Sequence, residues 1–357
     1  MKAPLSNYGD EDERKYNSTL CLVLSTINLW IYFVSAMLPL LVPTFAFCVF
    51  YLRIIPTWSI QCLATAIVLE FVIPLDDGYR PRPRRKSFFN RSTAEGAQDY
   101  FPARSIFLPQ QQLRKDRAYL LAAWPHSVFG GGHHFCTMDF EHYGGVFVIY
   151  SGASVLLYIP FLRRFLTTLG FTSVTKQGLR RVLDVKKYGP TFPYNVVHVV
   201  IGGIEEMFYT PGSAKEYEQI ILSKRKGFVK LALETGADLI PMYSFGANQV
   251  YYRIAGPKSL LCQLSRLLRV SITPWLGRWG MPMSIIGNVQ PILTVTGPVL
   301  EVPKNVDVTK ELVAKVHADF CISLRKLFDE YKKVYVEEMG ADPSWLTKEL
   351  RFEDEEC

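Results

Sequence analysis

Cysteine does little to organise this chain. The seven cysteines stand at positions 21, 48, 62, 136, 262, 321 and 357, none in a CxxC pair and three inside apolar runs. A disulfide framework or a zinc knuckle is therefore excluded as the basis of the fold. Gly-x-Ser-x-Gly and His-Glu-x-x-His are also missing, which removes the common serine hydrolase and zinc hydrolase designs. His133-His134 with His142 could bind a metal, an alternative that activity surviving metal removal would dispose of, and no metal is expected. The net charge of +7 is spread over short clusters rather than gathered on one stripe. That pattern argues against a nucleic-acid track and suits lipid headgroups or the phosphates of a ligand.

Charge is absent altogether between Lys15 and Arg53, and Leu20 to Leu52 is mostly Leu, Val, Phe, Ile and Trp. Such a run is long enough to cross a bilayer. A second apolar stretch, Trp58 to Leu75, follows Arg53 and Pro56 and contains one acid, Glu70. Two apolar arms joined by a short Arg-Pro link predict a helical membrane hairpin, with Pro39 and Pro43 bending the first arm. The run Arg80-Pro-Arg-Pro-Arg-Arg-Lys86 then places the following domain on the cytosolic side. On that side the sequons at Asn17 and Asn90 would go unused. The expected organisation is a tail over 1–18, a hairpin over 19–76, a basic linker over 77–99, a sheet domain over 100–340 and an acidic tail over 341–357.

Beyond residue 100 short β-rich runs alternate with helical ones. Ala118 to Trp124, Val146 to Tyr150, Asn195 to Ile201, Asp238 to Ser244 and Ile292 to Thr296 read as strands. Lys226 to Thr235 and Thr309 to Met339 read as helices, the latter with Val313, Val316, Phe320, Leu324 and Leu327 on one face. The fold class is α/β. In Pro257 to Val270 a Leu stripe alternates with Lys258, Arg266 and Arg269. A helix lying in the membrane interface explains this, and so does a core helix; exposure in the folded protein separates the two. Leu156 to Leu169, with Arg163-Arg164, reads as a core helix with headgroup contact as the alternative.

Three segments carry candidate chemistry. In Trp124-Pro-His-Ser127 a hydrophobic strand runs into a histidine and then into Gly130-Gly-Gly132. A strand-end imidazole accepts a proton from an alcohol at neutral pH, and glycine amides can approach an oxyanion. In Gly202-Gly203-Ile204-Glu205-Glu206 a strand again ends in glycines, now followed by acids; a carboxylate here could orient and stabilise a histidinium. In Ser223-Lys224-Arg225-Lys226-Gly227 cations open a helix whose N-terminus suits phosphate.

In this order the segments give a family resemblance over Phe101 to Tyr335. The chain resembles the diacylglycerol O-acyltransferase type 2 family at Trp124-Pro-His-Ser127, Gly202-Gly-Ile-Glu-Glu206, Arg225-Lys-Gly-Phe-Val229 with Pro241 to Gly246, and Gly297-Pro298 with Pro303. The resemblance implies a glycerolipid-acyltransferase-like sheet domain behind the hairpin. It makes His126 the catalytic histidine, with Glu206 or Glu141 as its carboxylate. Ser127, Gly130, Gly131, Gly202 and Gly203 become candidates for positioning substrate or oxyanion, and Lys224, Arg225 and Lys226 for binding acyl-CoA. The first block departs from the His-Pro-His-Gly of animal members at Trp124 and Ser127. His134 and Asp139 form a rival His-x4-Asp pair.

The implied reaction moves a fatty acyl group from acyl-CoA, a substrate and not a cofactor, to diacylglycerol without a covalent intermediate. Monoacylglycerol or a fatty alcohol is the alternative acceptor, and a non-catalytic membrane-shaping, lipid-binding protein is the alternative class. The expected setting is the endoplasmic reticulum membrane, with access to the lipid-droplet monolayer. Homo-oligomerisation is left open.

Overall fold

The computed structural model describes residues 58–73, 102–108, 113–114, 116–127, 148–185, 195–209, 216–268, 271, 273–277 and 290–353. The first hairpin arm, the basic linker, Gly130 to Gly132, His133, His134, Asp139, Glu141 and His142 lie outside these residues.

At the centre stands β2 (Ala118–Trp124), every residue of which is buried. It pairs in parallel with β5 (Asn195–Val200) on one side and with β7 (Asp238–Phe245) on the other. Strands β3 (Val148–Gly152) and β4 (Phe171–Ser173) extend the parallel sheet beyond β5. On the other edge β10 (Ile292–Thr296) runs antiparallel to β7, and β1 (Ala103–Phe107) is parallel to β10. The order is β1-β10-β7-β2-β5-β3-β4. A strand covered on both faces has no need to alternate, which is why Ala-Tyr-Leu-Leu-Ala-Ala-Trp reads as one apolar run.

One face of the sheet carries Leu120, Ala122, Trp124, Val197, Val199, Leu239 and Tyr243. The long helix α7 (Lys310–Met339) covers it with Val313, Val316, Phe320, Leu324 and Leu327, the stripe read from the sequence. The Thr309 side chain caps α7 by accepting from the Leu312 N–H at 3.2 Å. The opposite face buries Tyr119, Leu121, Val148, Tyr150, Ile240 and Met242 beneath Leu162 and Leu166 of α2 (Leu162–Thr168). The core reading of that segment therefore holds for the helix. The helix α3 (Lys176–Leu183) packs Leu179, Val182 and Leu183 into the first cluster.

The chain stays packed beyond residue 340, where the sequence had suggested a tail. Trp345 is buried against Phe245 and Tyr335, and β11 (Glu349–Phe352) pairs in parallel with β6 (Tyr217–Ile220). A buried ion pair, Lys348 to Glu218 at 3.1 Å, pins the crossing. The division at 340 thus falls inside this packed body.

The second predicted hairpin arm is the helix α1 (Trp58–Val72). Its 15 residues span about 22 Å, less than a hydrocarbon core of about 30 Å. Among the described residues no helix is long and apolar enough to cross a membrane. Glu70 gives α1 another attachment: its carboxylate is buried and receives the Arg164 Nε–H at 2.9 Å from one oxygen and 3.1 Å from the other. Arg163 lies over the Phe71 ring at 4.5 Å. Trp58, Val68 and Val72 remain exposed on the same helix.

Candidate active site

Strands β2 and β5 are parallel neighbours, so their carboxyl ends lie side by side, and both candidate motifs begin there. This is where ligands bind in open α/β sheets. Beyond β2 the chain passes a cis Trp124–Pro125 bond into His126 and Ser127. Ser127 is buried with φ of 53°, a left-handed conformation that costs a non-glycine residue roughly 1 kcal/mol or more. Its carbonyl oxygen lies 3.1 Å from His126 Nδ1. A carbonyl only accepts, so Nδ1 carries the proton and Nε2 keeps its lone pair. His126 is partly exposed. Burial pulls the imidazole below its ordinary 6.5, against the Ser127 hydrogen bond, so the neutral base dominates at pH 7.

Beyond β5 the chain turns through Ile201 and Gly202 into the helix α4 (Gly203–Tyr209). Gly203 has φ of 65°, and a Cβ on Gly202 would overlap the Glu206 carboxylate. The two glycines thus serve different needs, one conformational and one steric. Glu206 is buried, and its two oxygens accept from main-chain N–H groups of separate segments, His126 at 2.7 Å and Ile221 at 3.0 Å. Neither bond reaches the imidazole. The expected carboxylate-to-ring contact is replaced by a contact to the backbone that carries the ring. Burial pushes the Glu206 carboxyl up to about 7, despite those two bonds and the nearby Arg225.

The rest of the site follows from Ile221. Its carbonyl accepts from Trp124 Nε1–H at 3.3 Å, and the indole packs edge-on against Phe228 and tilted against Phe320. Trp124, the departure from the animal motif, is therefore a buried brace. Of the expected cations, Lys224 and Lys226 are exposed. Arg225 turns inward, donating to the Gly202 carbonyl at 3.3 Å and to Glu205 at 3.2 Å. Glu205 also receives Arg266 at 2.6 Å, from the helix α6 (Leu260–Leu268). The structure thus gathers His126, Ser127, Gly202, Gly203, Glu206 and Arg225; Gly130, Gly131 and Glu141 are outside the described residues. Sequence reasoning named Glu205 and Arg266 without their pairing and missed Ile221, a plain aliphatic residue whose main chain joins the two motifs.

The Leu stripe of α6 faces away from the packed core. Leu260, Leu267 and Leu268 are 68%, 77% and 57% exposed, while Cys262 and Ser265 face inward. The inner face packs on α4, where Cys262 and Leu261 meet Met207, Phe208 and Ile204. Among the described residues no cluster of histidines, cysteines and carboxylates could hold a metal.

An α/β scaffold with a neutral imidazole at the carboxyl ends of parallel strands has the geometry that a hydroxyl-activating transferase requires. The comparisons with known proteins give the class a family. The diacylglycerol acyltransferase family model matches residues 50–341, and the chain belongs to that family of acyltransferases. Diacylglycerol O-acyltransferase 2-like protein 6 of Bos taurus is 33% identical over 260 residues, 67% of this chain and 72% of that protein. 2-Acylglycerol O-acyltransferase 3 of Homo sapiens is 30% identical over 312 residues, 82% of this chain and 85% of that protein. Acyl-CoA wax alcohol acyltransferase 2 of Mus musculus is 33% identical over 255 residues, 66% and 71% of the two chains. A solved bacterial 1-acyl-sn-glycerophosphate acyltransferase, from Thermotoga maritima, aligns at 16% identity with a TM-score of 0.36, over 87% of this chain and 98% of that one.

Proposed function

We propose that this chain transfers a fatty acyl group from acyl-CoA to the free hydroxyl of a diacylglycerol at a membrane surface, with His126 as the general base. The reading is carried by one observation: His126 Nδ1 is committed to the Ser127 carbonyl, which leaves Nε2 as a proton acceptor on a partly exposed ring. The hydroxyl donates to Nε2, and its oxygen adds to the thioester carbonyl as the proton passes to the ring. Collapse of the tetrahedral adduct breaks the C–S bond. The imidazolium returns its proton to the departing CoA thiolate, and no acyl-enzyme forms. Glu206 is a positioning residue in this scheme, since it holds the His126 amide and not the ring. Ser127 and Gly202 shape that hold.

Lys224 and Lys226 offer exposed charge to the acyl-CoA phosphates. The apolar outer face of α6 suits an acceptor arriving from lipid, because α6 rests directly on the helix that bears Glu206. The same reading places the protein in the endoplasmic reticulum membrane with its sheet domain facing the cytosol, and on lipid droplets when a monolayer is the source of acceptor. Relatives named for 2-acylglycerol and wax alcohol are as similar as those named for diacylglycerol, so acceptor choice is the first thing to test.

The experiment is expression in a host lacking neutral-lipid synthesis, with labelled acyl-CoA, competing acceptors and separation of lipid classes. Labelled triacylglycerol is expected, and His126→Ala should lower its rate about 10²- to 10⁴-fold. A rate within a factor of two of the parent would reject His126 as the base. Labelled wax ester or diacylglycerol as the main product would reject the acceptor alone.

A further inference from the structure

The loop from β6 into the helix α5 (Gly227–Thr235) holds an anion that the reaction above does not use. Four successive main-chain N–H groups point at two carboxylates. Ile221 donates to Glu206 at 3.0 Å, Leu222 and Ser223 donate to one oxygen of Glu353 at 2.7 and 3.0 Å, and Lys224 donates to the other at 3.0 Å. Carbonyls of the same loop are tied from behind, Ile221 by Trp124 and Leu222 by His317 Nε2–H at 3.0 Å. The amides are thus aimed independently of what they bind. Successive N–H groups converging on one point form an anion-binding concavity, and a phosphate presents more acceptor oxygens to it than a carboxylate does. The exposed Lys224 and Lys226 lie along the same loop.

Glu353 reaches this place from far along the chain. It follows β11, whose last pair with β6 is Phe352 opposite Ile220, so it sits just beyond the sheet register. Only its side chain need turn away to vacate the amides. The concavity begins one residue after the amide that holds Glu206, and Glu206 in turn holds His126. A negative group lodged on these amides therefore bars other negative groups from them, a repulsive element of the kind that sets specificity.

We propose that the main-chain amides of Leu222, Ser223 and Lys224 form a phosphate subsite that the Glu353 carboxylate keeps closed. The ligand class is a phosphate ester held on the loop that also anchors Glu206. It has two sources, the phosphates of the acyl donor and the phosphate of a phosphorylated acceptor such as lysophosphatidate, and the assignment between them rests on the acyl-transfer reading above.

The test uses the full chain in detergent, with Glu353→Ala and Glu353→Gln compared by calorimetry. Inorganic pyrophosphate should bind Glu353→Ala about tenfold more tightly than the parent, with Glu353→Gln between them. Coenzyme A and lysophosphatidate are then titrated separately. Tightening by coenzyme A alone identifies the donor, and tightening by lysophosphatidate, with its appearance as an acceptor, identifies a refused acceptor. Unchanged pyrophosphate affinity in folded variants overturns the proposal. Loss of folding in both variants also overturns it, since Glu353 would then be a structural brace. Pyrophosphate binding needs no turnover, so this result stands apart from the fate of His126 as base.

Discussion

Replacing Glu206 by glutamine should make the protein's stability less sensitive to alkaline pH and the protein much less active. Burial raises the Glu206 carboxyl from its ordinary 4.5 to about 7 in the folded protein, so between those values the native state binds more protons than the unfolded chain. Stability from this group is then fully present below pH 4.5 and lost as pH rises through 7. At about 1.36 kcal/mol per pH unit, the separation of 4.5 and about 7 amounts to roughly 3 kcal/mol at pH 8. Glutamine does not ionise and avoids that loss. Its oxygen accepts one of the two N–H groups, but its NH2 has no lone pair for the other, which loses its acceptor at every pH at a cost of about 1–3 kcal/mol. The parent should therefore be ahead by about that cost at pH 4, and its lead should change in the variant's favour by roughly 3 kcal/mol by pH 8. Activity should fall. With one main-chain anchor gone, His126 can shift, and a displacement of about 1 Å costs on the order of 10²-fold in rate. The assay pairs thermal melts in detergent at the two pH values with initial rates of labelled product. A gap between parent and variant that does not move in the variant's favour from pH 4 to pH 8, or parental rates in the variant, would refute the reasoning.

Two further outcomes are expected. Gly202→Ala forces a methyl into the space of the Glu206 carboxylate and should lower the rate about tenfold or more, whereas Gly203→Ala meets open space and should cost only about 1 kcal/mol of stability through its positive φ; equal activities for the two variants would contradict the steric account. Leu267→Glu, at a residue 77% exposed, should leave folding intact and lower the rate on diacylglycerol in vesicles about tenfold, with no effect on a short-chain acceptor in solution; equal losses on both acceptors would show that α6 does not serve lipid access.

The strands that the sequence revealed were the ones buried on both sides. Ala118 to Trp124 and Ile292 to Thr296 coincide with β2 and β10, and β5 and β7 differ from their expected ends by one residue. Unbroken aliphatic runs between turn residues carry their own signal. Strands β1, β4, β6 and β11 went unread because they are short or polar at the sheet edge: Tyr-Glu-Gln-Ile and Glu-Leu-Arg-Phe become strands only by pairing with each other from distant parts of the chain. Glu70 was read as an interruption of an apolar arm, but Arg164, which makes it an attachment, is far away in sequence. The site divides in the same way. His126 and the Gly202 to Glu206 turn stood out as strand ends followed by glycines. Two bonds that fix Glu206 in the site go to backbone amides, which no residue type marks.

That use of the backbone has a chemical consequence. A carboxylate bonded to the ring would favour the imidazolium and raise its pKa, so that a larger share of the histidine would be protonated at pH 7. Here the tautomer is fixed by a neutral carbonyl and the acid is kept to the main chain, while burial holds the imidazole below its ordinary 6.5. The base is weaker but available. Two groups should therefore shape the acid side of the rate profile: Glu206, whose protonation near 7 loosens the anchor of His126, and the imidazole itself at lower pH. In Glu206→Gln the upper step should vanish and the lower one remain. A profile still falling through pH 7 in that variant would mean that the step belongs to some other group, and that Glu206 does not govern the base through its amide.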